Sequence, residues 1–419
     1  MTAKLSKSAK AGPGARPMRI AHLTTVDVSL AKLLRTELAI DVQAGNQVFA
    51  MSAPGPYIGE IEAIGVTHVP IPDLTRSWSL RSDLRAIGQL WRNLRGLHLD
   101  VLHTHTPKAG ILGRIVGRIA GIPVVVNTCH GLLATNDDPW TKRFAVYGIE
   151  GLAAQFSHAE LFQNPEDRQV VARIVPRRVS KVVGNGTDLE AFQFDECERA
   201  RVRLELGVHP DEVLVGAVGR RVAEKGILEF AAASRRLHGL ASFIWVGPED
   251  LGKSDAVRDT IPGIRLIGDR SDMPSVYSAL DIFVLPSHRE GFPRSAMEAA
   301  ACGRAIVLTD IRGCREIGTD STQVLFVPPS DDESLAATLR MLIQNASLRE
   351  RLGSAARDRA LEAFDQRAVA AQSLGTYSEV LSAGRKHENH PDRASMSPCA
   401  PRPSSTSRQV VSAAEQGQS

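Results

Sequence analysis

The chain has 419 residues, of which 43% are apolar and 23% are charged, and its formal net charge is +3. This composition is typical of a globular protein with room for two domains and a large core, and so small a net charge gives no indication of nucleic-acid binding. The five cysteines lack CxxC spacing and no apolar run approaches the roughly 20 residues of a membrane span, which argues against disulfide frameworks, zinc knuckles and integral membrane proteins and favours the cytoplasm.

Short β-rich runs alternate with amphipathic helical ones from residue 18 onward. Residues 1–17 are basic but lack the apolar core of a secretion signal, so we expect a flexible lead-in. One helix is predicted over LAKLLRTELAIDV, where apolar residues recur at helical spacing. Before the turn-rich GNGTDLEAF, seven runs are predicted to be strands: RIAHLTT, QVFAMSA, THVPIP, DVLHTH, PVVVNTCH, AELFQN and SKVVG.

A second series contains six predicted strands: VLVGAVGR, ASFIWVG, IRLIG, DIFVLPS, RAIVLTD and QVLFVPP. Strands that alternate with helices indicate parallel sheets covered on both faces. We therefore predict two doubly wound α/β domains, 18–190 and 205–365, which face a central cleft. A helix is predicted over 366–383, and the segment 384–419 is rich in Pro, Ser and charge, so it is expected to be disordered.

The stretch GPEDLGKS, residues 247–254, fits the letter pattern of an ATP-binding phosphate loop. Its context does not support that function. Glu249, Asp250 and Asp255 would repel a polyphosphate, and Pro262 leaves too little length for the helix that should follow. We expect a solvated surface loop.

Two other stretches of the second domain are better suited to bind an anion. In AVGRRVAEKGILEF, Arg220 and Lys225 flank the turn between the first strand and its helix. Arginine can bind phosphate bidentately and lysine adds a mobile charge, although both could equally be solvated surface cations.

The second stretch is LPSHREGFPRSAMEAAACGRAIVLTD. Pro293 suits the first position of a helix whose free N–H groups would attract an anion. Glu290 precedes this helix and Glu298 lies within it. On the residues alone, these carboxylates either accept hydrogen bonds from sugar hydroxyls, or one caps the helix and the other is solvated.

In combination, these motifs resemble those of the retaining glycosyltransferases of family 4. EGFPRSAMEAAACGRAIV, GRRVAEKG and GNGTDLEAF carry the resemblance, and DVLHTHTPKAGILGRIVGRIAGIPVVVNTCHG is similar to bacterial members that build surface polysaccharides. The resemblance covers about residues 18–380. It implies a GT-B architecture of two Rossmann-like domains, with the last helix crossing back onto the first.

The resemblance also implies roles for individual residues. Arg220 and Lys225 would bind the donor diphosphate, and Glu298 would accept hydrogen bonds from the ribose. TTVDVSL departs from the family because it lacks the glycines that many relatives carry after the first strand. Pro293 is a second departure, since many relatives have glycine there.

The resemblance also implies catalytic roles for Glu290 and His130. Glu290, with the N–H groups of Gly291 and Phe292, would hold the transferred sugar and the diphosphate. His130 follows the strand PVVVNTCH and would reach across the cleft toward the reacting sugar. Without the resemblance, a packed or capping histidine would be the ordinary interpretation.

No metal or cofactor is expected, because fixed positive groups can stabilise a leaving diphosphate and the chain has no DxD triplet near a strand end. His103 and His105 in HTH suggest a metal pair, but their spacing at a strand end is explained by structure alone. Between residues 76 and 118, a basic stretch is either a solvated face or a surface that docks on an anionic leaflet: Arg76, Arg81, Arg85, Arg92, Arg95, Lys108, Arg114 and Arg118.

We therefore predict a retaining glycosyltransferase that moves a sugar from a nucleotide diphosphate donor, UDP-linked, to a hydroxyl of a glycan or lipid-linked acceptor. It would be cytoplasmic, with peripheral contact at the inner face of the membrane. A sugar-nucleotide epimerase or phosphorylase on the same fold is one alternative. A non-catalytic scaffold subunit is the other.

Overall fold

The computed structural model describes residues 16–135, 138–175, 179–250, 252–257 and 260–388. They form two parallel sheets with helices packed on both faces, which confirms the predicted α/β class with two doubly wound domains. We call them the N-lobe, up to residue 190, and the C-lobe, from 191 to 365. The lead-in 1–17 and the tail 384–419 lie almost wholly outside the described residues.

The N-lobe contains seven strands: β1 (Arg19–Val26), β2 (Gln47–Ala53), β3 (Thr67–Pro70), β4 (Val101–Thr104), β5 (Val124–Cys129), β6 (Ala159–Phe162) and β7 (Val179–Val182). Its helices are α1 (Asp27–Lys32), α2 (Arg35–Gln43), α3 (Ile58–Glu62), α4 (Leu80–Gly96), α5 (Pro107–Ile119), α6 (Trp140–Ala154) and α7 (Pro165–Ile174). The strand order is β3-β2-β1-β4-β5-β6-β7. The winding reverses between β1 and β4, the kind of switch point at which open sheets bind ligands.

The C-lobe contains six strands: β8 (Leu214–Val218), β9 (Ser242–Val246), β10 (Arg265–Gly268), β11 (Ile282–Leu285), β12 (Ala305–Thr309) and β13 (Leu325–Val327). Its helices are α8 (Glu196–Glu205), α9 (Ile227–Arg236), α10 (Met273–Ala279), α11 (Arg294–Ala301), α12 (Asp332–Gln344) and α13 (Ala346–Ala363). The order is β10-β9-β8-β11-β12-β13, so the switch point lies between β8 and β11. The two anion-binding candidates follow these two strands.

The last helix, α14 (Gln366–Glu388), lies against the N-lobe sheet and continues past the predicted end at 383. Tyr377 is fully buried there with apolar residues of the central strands, and its hydroxyl is 2.6 Å from His103 Nδ1. No helix in the described part of the chain is both long enough and apolar enough to cross a membrane.

The single helix predicted over 30–42 is wrong, because two helices meet at Leu33 and Leu34. Both of these amides donate to the Ser29 carbonyl, which interrupts the helical hydrogen bonds. The break keeps Leu34 in the same buried cluster as Leu30 and Leu38. Packing onto the sheet therefore outweighs the local helical periodicity.

The basic stretch 76–118 does not form one continuous surface, which corrects the prediction for two of its members. Lys108 is 3% exposed and forms an ion pair with Asp83, and Arg114 is 1% exposed. The other six cations of the stretch are exposed. Any docking surface must therefore exclude Lys108 and Arg114.

Candidate active site

The turn after β8 brings Lys225 into the cleft between the lobes. Gly226 has φ 76°, and a Cβ at this position would overlap the carbonyl of Pro286 in the loop after β11. This close approach places Lys225 Nζ 2.6 Å from Glu290 Oε1, so two predicted site residues form an ion pair. Both side chains are largely buried, with 19% and 10% of their surfaces exposed.

Arg220 is held differently from Lys225. Its guanidinium pairs with Asp250 in the 247–254 loop, and the neighbouring Arg221 pairs with Glu249. Two of the three carboxylates that we expected to repel a polyphosphate are therefore partners of arginines, and the third, Asp255, accepts a hydrogen bond from the Glu224 N–H. Lys253 of the same loop is exposed, and the described residues that follow it form turns instead of a helix. The structure thus supports a surface loop there.

The loop before α11 contacts the N-lobe through its backbone. A Cβ on Gly291 would overlap the carbonyl oxygen of His130, so only glycine allows the two lobes to approach so closely. Asn164 Nδ2 donates to the Gly291 carbonyl at 3.0 Å, and Asn185 Nδ2 donates to the Phe292 carbonyl at 3.1 Å. These bonds fix the loop against the opposite lobe.

The amide hydrogens of this loop remain available. Within the described part of the chain, neither the Gly291 nor the Phe292 N–H donates to a protein acceptor. They precede the N-terminus of α11, whose first residue is Arg294, because Pro293 caps the helix and does not begin it as predicted. Backbone donors at a helix start, beside the Lys225 ammonium, form a surface suited to an anion.

Glu298 faces a different part of the cleft. Its Oε2 accepts a hydrogen bond of 2.9 Å from the Tyr277 hydroxyl. Burial raises the pKa of Glu298, and the Arg294 guanidinium and the Tyr277 hydroxyl oppose this shift. A cavity of about 500 Å³ separates Glu298 from the N-lobe, and its lining residues come from α1, the turn after α1, and α11: Val28, Ser29, Lys32, Leu33, Arg294 and Glu298.

His130 lies directly after β5, where its carbonyl packs on Gly291. Both ring nitrogens are hydrogen-bonded within the N-lobe, since Nε2 is 3.2 Å from His105 Nδ1 and Nδ1 is 2.9 Å from Gln163 Nε2. Burial lowers the pKa of His130 to about 4, so the imidazole is neutral. His130 and Gln163 both line a cavity of about 50 Å³ that reaches Arg294 of the C-lobe.

Four side chains near His130, three of them buried and one partly exposed, are close enough to be considered as metal ligands. Their ligand atoms lie within 4.8 Å of one another: His22, Glu37, His103 and His105. The histidine nitrogens already have protein partners, because His103 contacts Thr128 and Tyr377 and His22 contacts Asp41. A hydrogen-bonded network therefore accounts for the three histidines, and Glu37 Oε1 lies 3.4 Å from His103 Nδ1.

Two arginines that reach across the lobes were not predicted from the sequence. Arg294 donates to the Lys32 carbonyl, and Arg312 forms an ion pair of 2.7 Å with the fully buried Asp167. A cation in the first turn of α11 opposes the helix dipole, and this unfavourable position is a signal that could have identified Arg294. No local pattern distinguishes Arg312.

Two family models match the chain and between them cover more than half of it. Residues 34–186 match the glycosyl transferase 4-like domain, and residues 212–345 match glycosyl transferases group 1. The matched segments correspond to the N-lobe and the C-lobe.

Relatives with assigned activities extend over both lobes. N,N'-diacetylbacillosaminyl-diphospho-undecaprenol alpha-1,3-N-acetylgalactosaminyltransferase of Campylobacter jejuni is 25% identical over 377 residues, which are 87% of this chain and 99% of that protein. UDP-Gal:alpha-D-GlcNAc-diphosphoundecaprenol alpha-1,3-galactosyltransferase of Escherichia coli is 30% identical over 256 residues, 58% of this chain and 66% of that protein.

Solved structures share the two-lobed fold. HepE of Anabaena, in complex with UDP and glucose, superposes with a TM-score of 0.75 at 20% identity, over 86% of this chain and 100% of that one. Sucrose-phosphate synthase of Thermosynechococcus elongatus gives 0.74 at 20% identity, over 87% and 100%. Taken with the family models, these likenesses show that the chain belongs to the group 1, family 4-type glycosyltransferases of GT-B fold, as the sequence motifs indicated.

Proposed function

We propose that this glycosyltransferase moves a sugar from a UDP-linked donor to a hydroxyl of a lipid-linked glycan acceptor, with retention at the anomeric carbon. The observation that carries the proposal is the Lys225–Glu290 ion pair beside the free N–H groups of Gly291 and Phe292. Relatives named for diphospho-undecaprenol acceptors, and fold relatives in complex with UDP, support the substrate classes.

The chemistry follows from where negative charge develops. When the sugar–diphosphate bond breaks, the leaving diphosphate gains charge, and preorganised donors in a water-poor cleft stabilise that charge more than bulk water does. Lys225 and the α11 N-terminus supply these donors, while Glu290 holds the ammonium in place and can accept bonds from sugar hydroxyls. Arg220 would complete the diphosphate site after exchanging its bond to Asp250.

The properties of His130 argue against an inverting transfer in which this residue is the base. An inverting transfer needs a general base on the acceptor side of the sugar, and an efficient base has a pKa near the working pH. Burial lowers the pKa of His130 to about 4, and both of its ring nitrogens are already hydrogen-bonded. We therefore assign His130 to holding the sugar and not to deprotonating the acceptor.

The proposed transfer is tested by incubating the enzyme with a panel of UDP- and GDP-sugars and a polyprenyl-diphosphate sugar acceptor. We expect mass spectrometry to show the acceptor extended by one sugar with a UDP-sugar, and NMR of the product to show the same anomeric configuration as in the donor. A new UDP-sugar formed without acceptor would point to an epimerase, whereas no nucleotide binding would point to a scaffold. An inverted product would contradict retention alone.

Peripheral membrane contact is a further part of the proposal. Helices α4, α5 and α6 begin at the carboxyl ends of parallel strands, so their first turns line the same edge of the N-lobe sheet. Large apolar side chains are exposed there on α4, α6 and the adjoining loop: Trp78 (61%), Leu80 (78%), Trp140 (76%) and Phe144 (76%). The exposed Arg81 and Arg85 lie on the same α4 turns, so apolar insertion and attraction to anionic headgroups would act together.

Replacing Trp140 and Phe144 together with Ser is expected to weaken binding to phosphatidylglycerol vesicles by at least about tenfold, since two aromatic side chains would no longer insert. Co-sedimentation across a lipid titration measures this change. Leu361→Ser, on the C-lobe, is the matched control because Leu361 is also exposed (53%) and should leave binding unchanged. Equal binding of the double variant and the wild type would reject this surface.

A further inference from the structure

A buried chain of hydrogen bonds runs through the N-lobe from α2 to the cleft. Asp41 Oδ2 is 2.8 Å from His22 Nε2, and His22 Nδ1 is 3.2 Å from His105 Nε2. His105 Nδ1 is 3.2 Å from His130 Nε2, and His130 Nδ1 is 2.9 Å from Gln163 Nε2. Asp41 is 1% exposed, and His22 and His105 are fully buried. The chain therefore connects a buried carboxylate to a residue that lines the cleft.

The direction of this chain follows from its two ends. With the Gln163 amide nitrogen donating, His130 Nδ1 accepts and the His130 proton is on Nε2. A glutamine amide can instead turn its oxygen to the ring, so the carboxylate end of the chain is needed to hold this direction. His105 then accepts at Nδ1 and donates from Nε2, and His22 does the same. The last N–H, on His22 Nε2, meets the Asp41 carboxylate, which can only accept when ionised. Each ring nitrogen is used once, with three neutral histidines in one tautomer.

Metal coordination fits the same residues less well. The rings of His103 and His105 lie with their centroids 4.0 Å apart. Two imidazoles bound to one tetrahedral ion at ordinary metal–nitrogen distances hold their centroids about 5 Å apart. The His22 centroid lies 5.3 Å from that of His103 and 5.4 Å from that of His105, but the nearly parallel planes of His22 and His105, 15° apart, suit their edge-to-edge N–H···N hydrogen bond. The hydrogen-bonded chain explains the geometry without such an ion.

We propose that Asp41, His22 and His105 are positioning residues that hold His130 in its Nε2–H tautomer, so that the nitrogen on the cleft side is a hydrogen-bond acceptor. What this tautomer means for binding of the donor sugar rests on the proposed function. A sugar hydroxyl that displaces the Gln163 amide donates its proton to His130 Nδ1 in a hydrogen bond, and no proton is transferred. The site thereby selects a hydroxyl over a group that can only accept.

The test is NMR of protein labelled with ¹⁵N-histidine, without substrate, so that its failure is distinct from a failure of the proposed glycosyl transfer. Comparison with a His130→Gln spectrum assigns the His130 signals. We expect the wild type to carry the His130 proton on Nε2 and none on Nδ1. A proton on Nδ1 would overturn the proposal.

Two substitutions at His22 distinguish a role in holding the His130 tautomer from a role in packing the core. His22→Gln supplies an amide that donates to Asp41 and accepts from His105, so we expect it to keep the His130 tautomer and near wild-type kcat/KM. His22→Leu cannot do either, and we expect mixed tautomers and a loss of about tenfold in kcat/KM, the equivalent of one hydrogen bond. An unchanged tautomer in His22→Leu would overturn the proposal. If that variant fails to fold, the wild-type and His22→Gln spectra still decide.

Discussion

Replacing Lys225 with Met is expected to lower kcat by at least about 100-fold, because the variant loses a preorganised cation at the leaving diphosphate. The side chain is 2.6 Å from Glu290 and is largely buried, so water cannot easily replace its charge. Met keeps the length of the aliphatic chain, which limits the change in packing. Steady-state turnover with the UDP-sugar identified in the donor panel measures the effect.

The matched control is Lys253→Met in the 247–254 loop. Lys253 is exposed and follows a different strand of the same sheet, so its loss should leave kcat unchanged. Circular dichroism confirms that both variants fold. Glu290→Gln is a second comparison, since it keeps a hydrogen-bond acceptor for Lys225 but removes the carboxylate charge. Turnover of Lys225→Met within about threefold of the wild type would contradict the assigned role of transition-state stabilisation.

The strands were predictable because of how parallel sheets bury their faces. The thirteen strands of the described residues all fall on the β-rich runs read from the sequence, and the central ones are almost continuously apolar, as expected for strands covered on both sides. The same alternation of strands and helices predicted where the anion-binding turns lie, since ligand loops follow the strands at the switch point of a sheet. Where packing decided the outcome, as at Leu33 and Leu34, periodicity failed.

The candidate site was only partly predictable. Lys225 and Glu290 were both identified, but their ion pair depends on the approach of two loops at Gly226, which no local pattern encodes. The histidine chain was missed because His22 reads as one polar residue within an apolar strand. Its partners Asp41 and His105 come from separate elements that only the folded sheet brings together.

The error in the basic stretch has the same cause. Positive charge along α4 and α5 predicts a common face only if no acids from other elements reach it. Arg114 Nη1 is 2.9 Å from Glu160 Oε1 and its Nη2 is 2.6 Å from Glu150 Oε2, and these acids lie on β6 and α6. The charge of Arg114 is therefore compensated in the core.

This compensation leads to the largest expected effect on stability. Replacing Arg114 with Leu is expected to lower the free energy of unfolding of the N-lobe by about 3–5 kcal/mol, because Glu160 would remain buried and uncompensated. Glu160 is 2% exposed and also accepts a hydrogen bond from Asn127 at 2.8 Å, so it cannot move to solvent without breaking the network. Urea unfolding followed by circular dichroism measures the loss.

Arg118→Leu is the control on the same helix, one turn further along α5. Its guanidinium contacts His158 at an exposed position, so we expect a change within about 0.5 kcal/mol. The double variant Arg114→Leu, Glu160→Gln tests the cause, since removing both buried charges should recover part of the loss. If Arg114→Leu unfolds within about 1 kcal/mol of the wild type, the network does not carry the stability that its burial predicts.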